Sequence, residues 1–247
     1  MTEAGEVFTG SFTQQEPIPE DAIGAAVAVM RSGRLHRYNT EDGEVAALER
    51  EFAAYTGAKY ALAVASGGYA MGAALRAIGI GPGDKVLTNA FTLAPVPGAI
   101  AGVGAQPIFV GVTETLTIDL NDLQAKAGEA KVLMLSHMRG HLADMDRLME
   151  ICNAAGITVI EDCAHTMGAA WRGRMSGRDG LIGCYSVQTY KHMNAGEGGF
   201  LITDDDDIAA RAILLSGSYM LYGRHGTRPP EAAFERAKYL TPNVSGR

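Results

Sequence analysis

The sequence predicts an α/β protein with a mostly parallel seven-stranded sheet flanked by helices on both faces, an α/β/α sandwich. Two observations carry this expectation. Short apolar runs alternate with helical patterns of about ten residues, the rhythm of crossover connections between parallel strands. Within each run the apolar residues are consecutive rather than alternating, as they are in strands covered on both faces.

Taken in order, residues 1–42 lack sustained periodicity apart from a helical stretch at 22–30. They carry Gln14-Gln15-Glu16-Pro17 and Arg37-Tyr38-Asn39-Thr40 and read as an N-terminal arm. A large domain is expected over 43–240. It opens with Val45, Leu48, Phe52 and Tyr55 on one helical face, and Gly57 supplies a stop. Strands are then expected at 60–65, 85–88, 107–112, 132–135 and 158–160, with helices at 69–78, 97–103, 120–127 and 144–155 between them. After Asp162 the rhythm changes to two closely spaced strands, 185–187 and 199–203, followed by a helix at 206–215. Asp204 to Asp207 meet the start of that helix, where negative charge opposes the helix dipole favourably. Capping is the better reading there than metal binding, because consecutive side chains fan outward, and no metal site is expected elsewhere.

Composition narrows the function classes. A net charge of -7 argues against a nucleic-acid partner, which needs a basic face. With 47% hydrophobic and 20% charged residues, the chain is that of a globular protein rather than a disordered one. Cys152, Cys163 and Cys184 form no CxxC pair and lie in apolar segments, as buried reduced thiols do. The acidic start, Met1-Thr2-Glu3-Ala4-Gly5-Glu6, is unlike a secretory signal, and no apolar run approaches membrane-spanning length. A soluble cytoplasmic protein is expected.

The chemistry concentrates beyond the strand ends, where open α/β sheets bind ligands. Lys191 lies in Ser186-Val187-Gln188-Thr189-Tyr190-Lys191-His192-Met193-Asn194-Ala195-Gly196-Glu197-Gly198-Gly199, between two strands and beside a glycine cluster. Upstream, Val159-Ile160-Glu161-Asp162-Cys163-Ala164-His165 delivers an acid and an imidazole at a strand's carboxyl end. A lone loop lysine is ordinarily a solvated charge and an Asp after a strand ordinarily a cap. Together, in this order, they are the parts of a pyridoxal phosphate site: a Schiff-base lysine, an acid for the pyridine nitrogen, and an imidazole near the ring. Such a lysine needs its pKa lowered to move protons. Ser66-Gly67-Gly68 opens a helix after the first strand, where backbone N–H groups can cradle the phosphate.

From about Glu44 to Leu215 the chain resembles the DegT/DnrJ/EryC1/StrS family of pyridoxal-phosphate sugar aminotransferases, of fold type I. The segments that carry the resemblance are Ala65-Ser66-Gly67-Gly68, Gly79-Ile80-Gly81-Pro82-Gly83-Asp84, His137-Met138-Arg139-Gly140-His141-Leu142-Ala143-Asp144-Met145-Asp146, Glu161-Asp162-Cys163-Ala164-His165-Thr166-Met167-Gly168-Ala169, and Lys191 with Gly196-Glu197-Gly198-Gly199. The resemblance implies that Lys191 holds the cofactor, Asp162 pairs with its pyridine nitrogen and His165 lies near its ring hydroxyl. Ser66, Gly67, Gly68, Ser186 and Gln188 match positions around the phosphate or the lysine. Phe91 and Leu93 are the candidates to cover the ring. Departures occur at Gly68, where the family usually has Thr, at Gln188-Thr189-Tyr190 and at Arg37-Tyr38-Asn39-Thr40.

The same resemblance implies a homodimer and a smaller C-terminal domain. Residues 241–247, with Asn243 matching a phosphate-contacting segment, read as the lead into that domain, which this chain lacks and a separate chain could supply. The implied reaction moves an amino group from an amino acid, foremost glutamate, to a keto or aldehyde sugar, either nucleotide-linked or a sugar acid. A catalytically silent binding or regulatory protein is the alternative outside enzymology. A sugar dehydratase is the alternative within the fold, against which Lys191 argues because such relatives carry histidine there.

Overall fold

The computed structural model describes residues 11, 14–15, 17–38, 42–217 and 222–240. Two helices lead the chain, α1 (Glu20–Ser32) and α2 (Glu44–Thr56). Then come β1 (Tyr60–Val64), α3 (Gly67–Ala77), β2 (Lys85–Asn89), α4 (Pro95–Gly102), β3 (Gln106–Val110) and α5 (Leu120–Lys126). These are followed by β4 (Val132–Ser136), α6 (Met145–Ala155), β5 (Thr158–Asp162), and a small hairpin of β6 (Ala170–Trp171) and β7 (Arg174–Met175). The described part closes with β8 (Ile182–Ser186), β9 (Gly199–Thr203), α7 (Asp206–Leu215) and α8 (Glu231–Ala237).

Among the described residues, seven strands form one sheet in the order β1-β9-β8-β5-β4-β2-β3. Strands β3, β2, β4, β5 and β8 run parallel to one another. Strand β9 pairs antiparallel with both β8 and β1, so β1 points the same way as the parallel set. Both faces are covered, which explains the unbroken apolar runs. Val132 and Met134 of β4 face the core shared with α3, α4, α7 and α8, while Leu133 and Leu135 face the core shared with α5 and α6. Phe52 of α2 stacks on Phe200 at 3.8 Å between ring centroids and fills the remaining corner.

Each expected strand and helix is found, with ends shifted by a few residues. The expected helix at 22–30 extends over Glu20–Ser32, and its side chains are all at least partly exposed. The hairpin β6–β7 and helix α8 have no counterpart in the sequence reading. Two-residue strands show no period, and α8 is held by burying Ala233, Phe234 and Ala237 rather than by its own seven-residue pattern. The aspartate run caps as expected: Asp205 accepts the Asp207 and Ile208 N–H groups, each at 2.9 Å. Asp204, Asp206 and Asp207 instead pair with Arg178, Lys59 and Arg236. The three cysteines are buried free thiols. Among the described residues no helix is long and apolar enough to cross a membrane.

The outer edge of β1 is closed by side chains. Thr227 Oγ1 accepts the Ala61 N–H at 2.8 Å and donates to the Ala61 carbonyl at 3.0 Å. Two residues on, Glu49 Oε1 accepts the Ala63 N–H and Arg37 Nη1 donates to the Ala63 carbonyl, both at 3.0 Å. Glu49 is fully buried, and it also binds Arg37 Nη2, His225 Nδ1 and the Gly226 N–H. A Cβ on Gly226 would lie 1.9 Å from the Ala46 carbonyl oxygen, so only glycine lets this segment approach α2. Burial alone would raise the Glu49 carboxyl, but the hydrogen bond and charge of His225, with Arg37 and Gly226, hold it below its ordinary value.

Glu49→Ala is therefore expected to cost about 3–5 kcal/mol, since it strands a buried arginine and histidine. Urea denaturation checks this. The Glu49 contribution is complete above the unfolded carboxylate value of about 4.3 and is lost as pH falls through the lower folded value. Wild type and variant should therefore converge in stability in acid.

Candidate functional site

The shared strand direction brings the ends of β1, β2, β4, β5 and β8 and the start of β9 to one edge of the sheet. There the N-terminus of α3 meets the lysine-bearing segment. A Cβ on Gly67 would lie 2.9 Å from Ser186 Cβ, and one on Gly199 would lie 2.5 Å from Gly67 N. The helix start, the end of β8 and the start of β9 are thus in backbone contact. Ser66 caps α3 by accepting the Tyr69 N–H at 3.0 Å, which leaves its own O–H to donate. The N–H groups of Gly67 and Gly68, like the first of any helix, have no intrahelical acceptor. A helix start of this kind can accept an anion.

Asp162 ends β5. It is 8% exposed, and its carboxylate accepts the Ser136 hydroxyl at 2.9 Å and the Ala164 N–H at 3.1 Å. Among the described residues no cation pairs with it. Sequence reasoning missed the two side chains that brace this corner, Asn89 and Ser136. Asn89 Oδ1 accepts the Ser136 N–H at 2.8 Å, and its Nδ2 donates to the carbonyls of Ser136 and Phe91 at 3.0 and 2.9 Å. Their position as polar residues ending apolar strands was the available signal.

The preceding residue, Glu161, points to the other face. Its buried carboxylate lies 2.9 Å from His137 Nε2 and accepts the N–H groups of Gly177, Asp179 and Gly180 at 2.8, 2.9 and 2.6 Å. Burial would raise this carboxyl, yet His137 and the backbone donors hold it below its ordinary value. Glu161, His137 and Cys163 place potential ligand atoms within 4.8 Å of one another. The carboxylate is already saturated with donors, and burial pushes the Cys163 thiol far up, so the group is structural.

Lys191 follows β8 in a turn closed by its N–H donating to the Gln188 carbonyl at 2.7 Å. Gln188 Oε1 accepts the Tyr190 N–H at 3.0 Å, and Ser186 Oγ accepts the Gln188 N–H at 3.3 Å. The Lys191 amine is half-buried and lies 2.7 Å from His165 Nε2. On the other side of the ring, His165 Nδ1 accepts the Arg139 N–H at 3.2 Å. That bond occupies the Nδ1 lone pair, so the neutral ring carries its proton on Nε2. The Nε2–H then points at Lys191, and the amine accepts it only when unprotonated. Burial lowers the Lys191 pKa and Arg139 adds to this, while Asp162 opposes it. His165 is lowered by burial and by the charge of Lys191, consistent with a neutral ring.

The residues expected from the sequence, Ser66, Gly67, Gly68, Asp162, His165, Ser186, Gln188 and Lys191, all lie at this edge. Phe91 and Leu93 lie in the loop from β2 to α4, Phe91 partly buried and Leu93 42% exposed. Asn243 and the segment 241–247 lie outside the described residues.

Comparison with known proteins agrees with this geometry. The model of the DegT/DnrJ/EryC1/StrS aminotransferase family matches residues 17–234. The chain belongs to that family. One relative, named a pleiotropic regulatory protein, from Geobacillus stearothermophilus, is 36% identical over 86% of this chain and 57% of its own length. The L-glutamine:scyllo-inosose aminotransferase of Streptomyces griseus is 34% identical over 79% of this chain and 48% of its own. The crystal structure of 3-amino-5-hydroxybenzoic acid synthase superposes with a TM-score of 0.77 at 35% identity, covering 83% of this chain and 54% of that one. The chain thus spans about half the length of these relatives. A putative sugar aminotransferase of Streptococcus pneumoniae, 25% identical with TM-scores of 0.72 and 0.71, has been solved in PLP and PMP forms. The residues here fit that cofactor: a half-buried amine, a buried carboxylate with no paired cation among the described residues, and a helix start open to a phosphate.

Lys191 is expected to lose its proton at a lower pH than a solvated lysine. Trace acetylation across a pH series, read by peptide mass spectrometry, checks this. His165→Ala, which removes the donor to the neutral amine, should move the Lys191 midpoint upward.

Proposed function

We propose that the chain is the cofactor-binding part of a pyridoxal-phosphate aminotransferase. It moves an amino group from an amino acid, foremost glutamate, onto a keto or aldehyde sugar, either nucleotide-linked or a sugar acid, in amino-sugar and polysaccharide biosynthesis. The observation that carries the reading is the presence, at one sheet edge, of a half-buried amine on Lys191 and a buried Asp162 carboxylate that has no paired cation among the described residues. The glutamine-named relative supports an amino-acid donor, and neighbours described as sugar aminotransferases support a sugar acceptor.

Bound at this edge, pyridoxal phosphate supplies an electron sink for the charge left when the substrate carbon loses its proton. Asp162 holds a proton on the pyridine nitrogen. Lys191 Nζ takes the proton from the substrate carbon and returns it, which a lowered pKa permits near neutral pH. His165 orients that amine through Nε2. Gly67 and Gly68 N–H groups, with the Ser66 hydroxyl, bind the phosphate, flanked by Ser186 and Gln188. Phe91 or Leu93 covers the ring, and Asn243 completes the phosphate contacts. In this reading residues 1–42 are an arm and 43–240 the large domain of a cytoplasmic homodimer.

A binding or regulatory role without turnover is the second reading, favoured by the name of the Geobacillus relative. Borohydride reduction of protein mixed with pyridoxal phosphate, followed by peptide mapping, separates the readings. The adduct is expected on Lys191 and absent in Lys191→Ala. Glutamate added before the reductant should discharge it. An adduct that no amino acid discharges would favour the silent binder, and no adduct on Lys191 would overturn the aminotransferase reading.

A further inference from the structure

Arg139 stands at the mouth of the site and contributes nothing there that the fold requires of an arginine. It lies in a 3-10 turn, Met138–Gly140, after β4, with φ 57° and ψ 21°. That left-handed conformation is strained for a residue bearing a Cβ. The backbone has a use, since its N–H reaches His165 Nδ1 at 3.2 Å. The side chain has none within the fold: it is exposed, and among the described residues no anion or carbonyl partners the guanidinium. Glycine or asparagine would make the same turn with less strain.

Its position is more informative than its conformation. Two successive hydrogen bonds, 3.2 and 2.7 Å, run from the Arg139 backbone through His165 to the Lys191 amine. The guanidinium charge is close enough to act on both, lowering the pKa of each. With the cofactor in place, Asp162 is matched by the pyridine nitrogen and the phosphate by the start of α3. Arg139, whose backbone is joined to that amine through His165, is then an exposed cation with no anion assigned to it.

We propose that Arg139 binds the substrate carboxylate carried on, or next to, the carbon whose amino group is transferred. The inference rests on Lys191 being the cofactor-bearing amine. The nitrogen exchanged with substrate must occupy the place of the Lys191 amine, so a carboxylate on the adjoining carbon sits only two bonds from it. A guanidinium fork accepts such a planar anion through two parallel N–H donors, which an ammonium does not reproduce. The amino-acid donor brings this group in one half-reaction, and a sugar-acid acceptor would bring it in the other.

The test uses cofactor-loaded wild type, Arg139→Gln and Arg139→Lys, titrated by visible absorption. One ligand is 2-methylglutamate, whose reacting carbon has no proton to lose. The others are 4-aminobutyrate, which lacks the α-carboxylate, and an amino sugar acid. Arg139→Gln is expected to weaken 2-methylglutamate about ten- to a hundred-fold, the worth of a charge-assisted pair, and to leave 4-aminobutyrate unchanged. Arg139→Lys should recover only part of the loss. Weakening confined to the amino sugar acid would assign the carboxylate to the acceptor. Unchanged binding of both carboxylates, equal weakening of 4-aminobutyrate, or loss of cofactor attachment in Arg139→Gln would each overturn the inference while Lys191 in the wild type still takes up cofactor. Failure of wild type to attach cofactor at Lys191 would instead remove the functional reading itself.

Discussion

The backbone contact among Gly67, Ser186 and Gly199 is the constraint on which the site depends. A single added methyl at Gly67 or Gly199 would meet neighbouring atoms at 2.9 or 2.5 Å, so the start of α3 and the strand pair β8–β9 have no slack between them. The helix start that can hold a phosphate is thereby locked against the segment that carries Lys191. These pieces are more than a hundred residues apart in the chain, and a few ångströms of drift between them would separate the anion cradle from the amine.

Around that contact, neighbouring acids are given opposite tasks by strand geometry. Successive residues of β5 face opposite sides of the sheet. Glu161 turns inward to His137 and three loop N–H groups and fixes the approach to β8. Asp162 turns to the sheet edge with two hydrogen bonds and, among the described residues, no paired cation. The first is satisfied by the fold; the second keeps acceptor capacity at the site. Arg139, His165 and Lys191 form a comparable division, in which a strained backbone N–H selects the imidazole tautomer and the tautomer selects the neutral amine.

At the far end of the sheet, Glu49 performs a structural task at similar cost. It gathers Arg37 from the arm, His225 and Gly226 from the segment after α7, and the free N–H of β1. With Thr227 these side chains stand in for a missing neighbouring strand, and the edge is closed to pairing with another chain. Burying that carboxylate is tolerable because every oxygen has a donor.

The sequence by itself determined the layer architecture, because buried parallel strands must be apolar on both faces and the helices between them periodic. It also singled out Lys191, Asp162 and the glycine start of α3 as candidates, since each lies where a strand ends and chemistry is local to that end. Three relations were set by the assembled fold: Glu161 is tied to His137 and the loop at 177–180, Asn89 and Ser136 brace Asp162, and Arg37, Glu49 and His225 close the sheet edge. Those relations join residues far apart in the chain, and their energy comes from burial and mutual hydrogen bonding, which exist only once the sheet has assembled. The tautomer of His165 belongs to the same class: no spacing in the sequence encodes it, because it is set by one backbone N–H that the turn at Arg139 aims across the site.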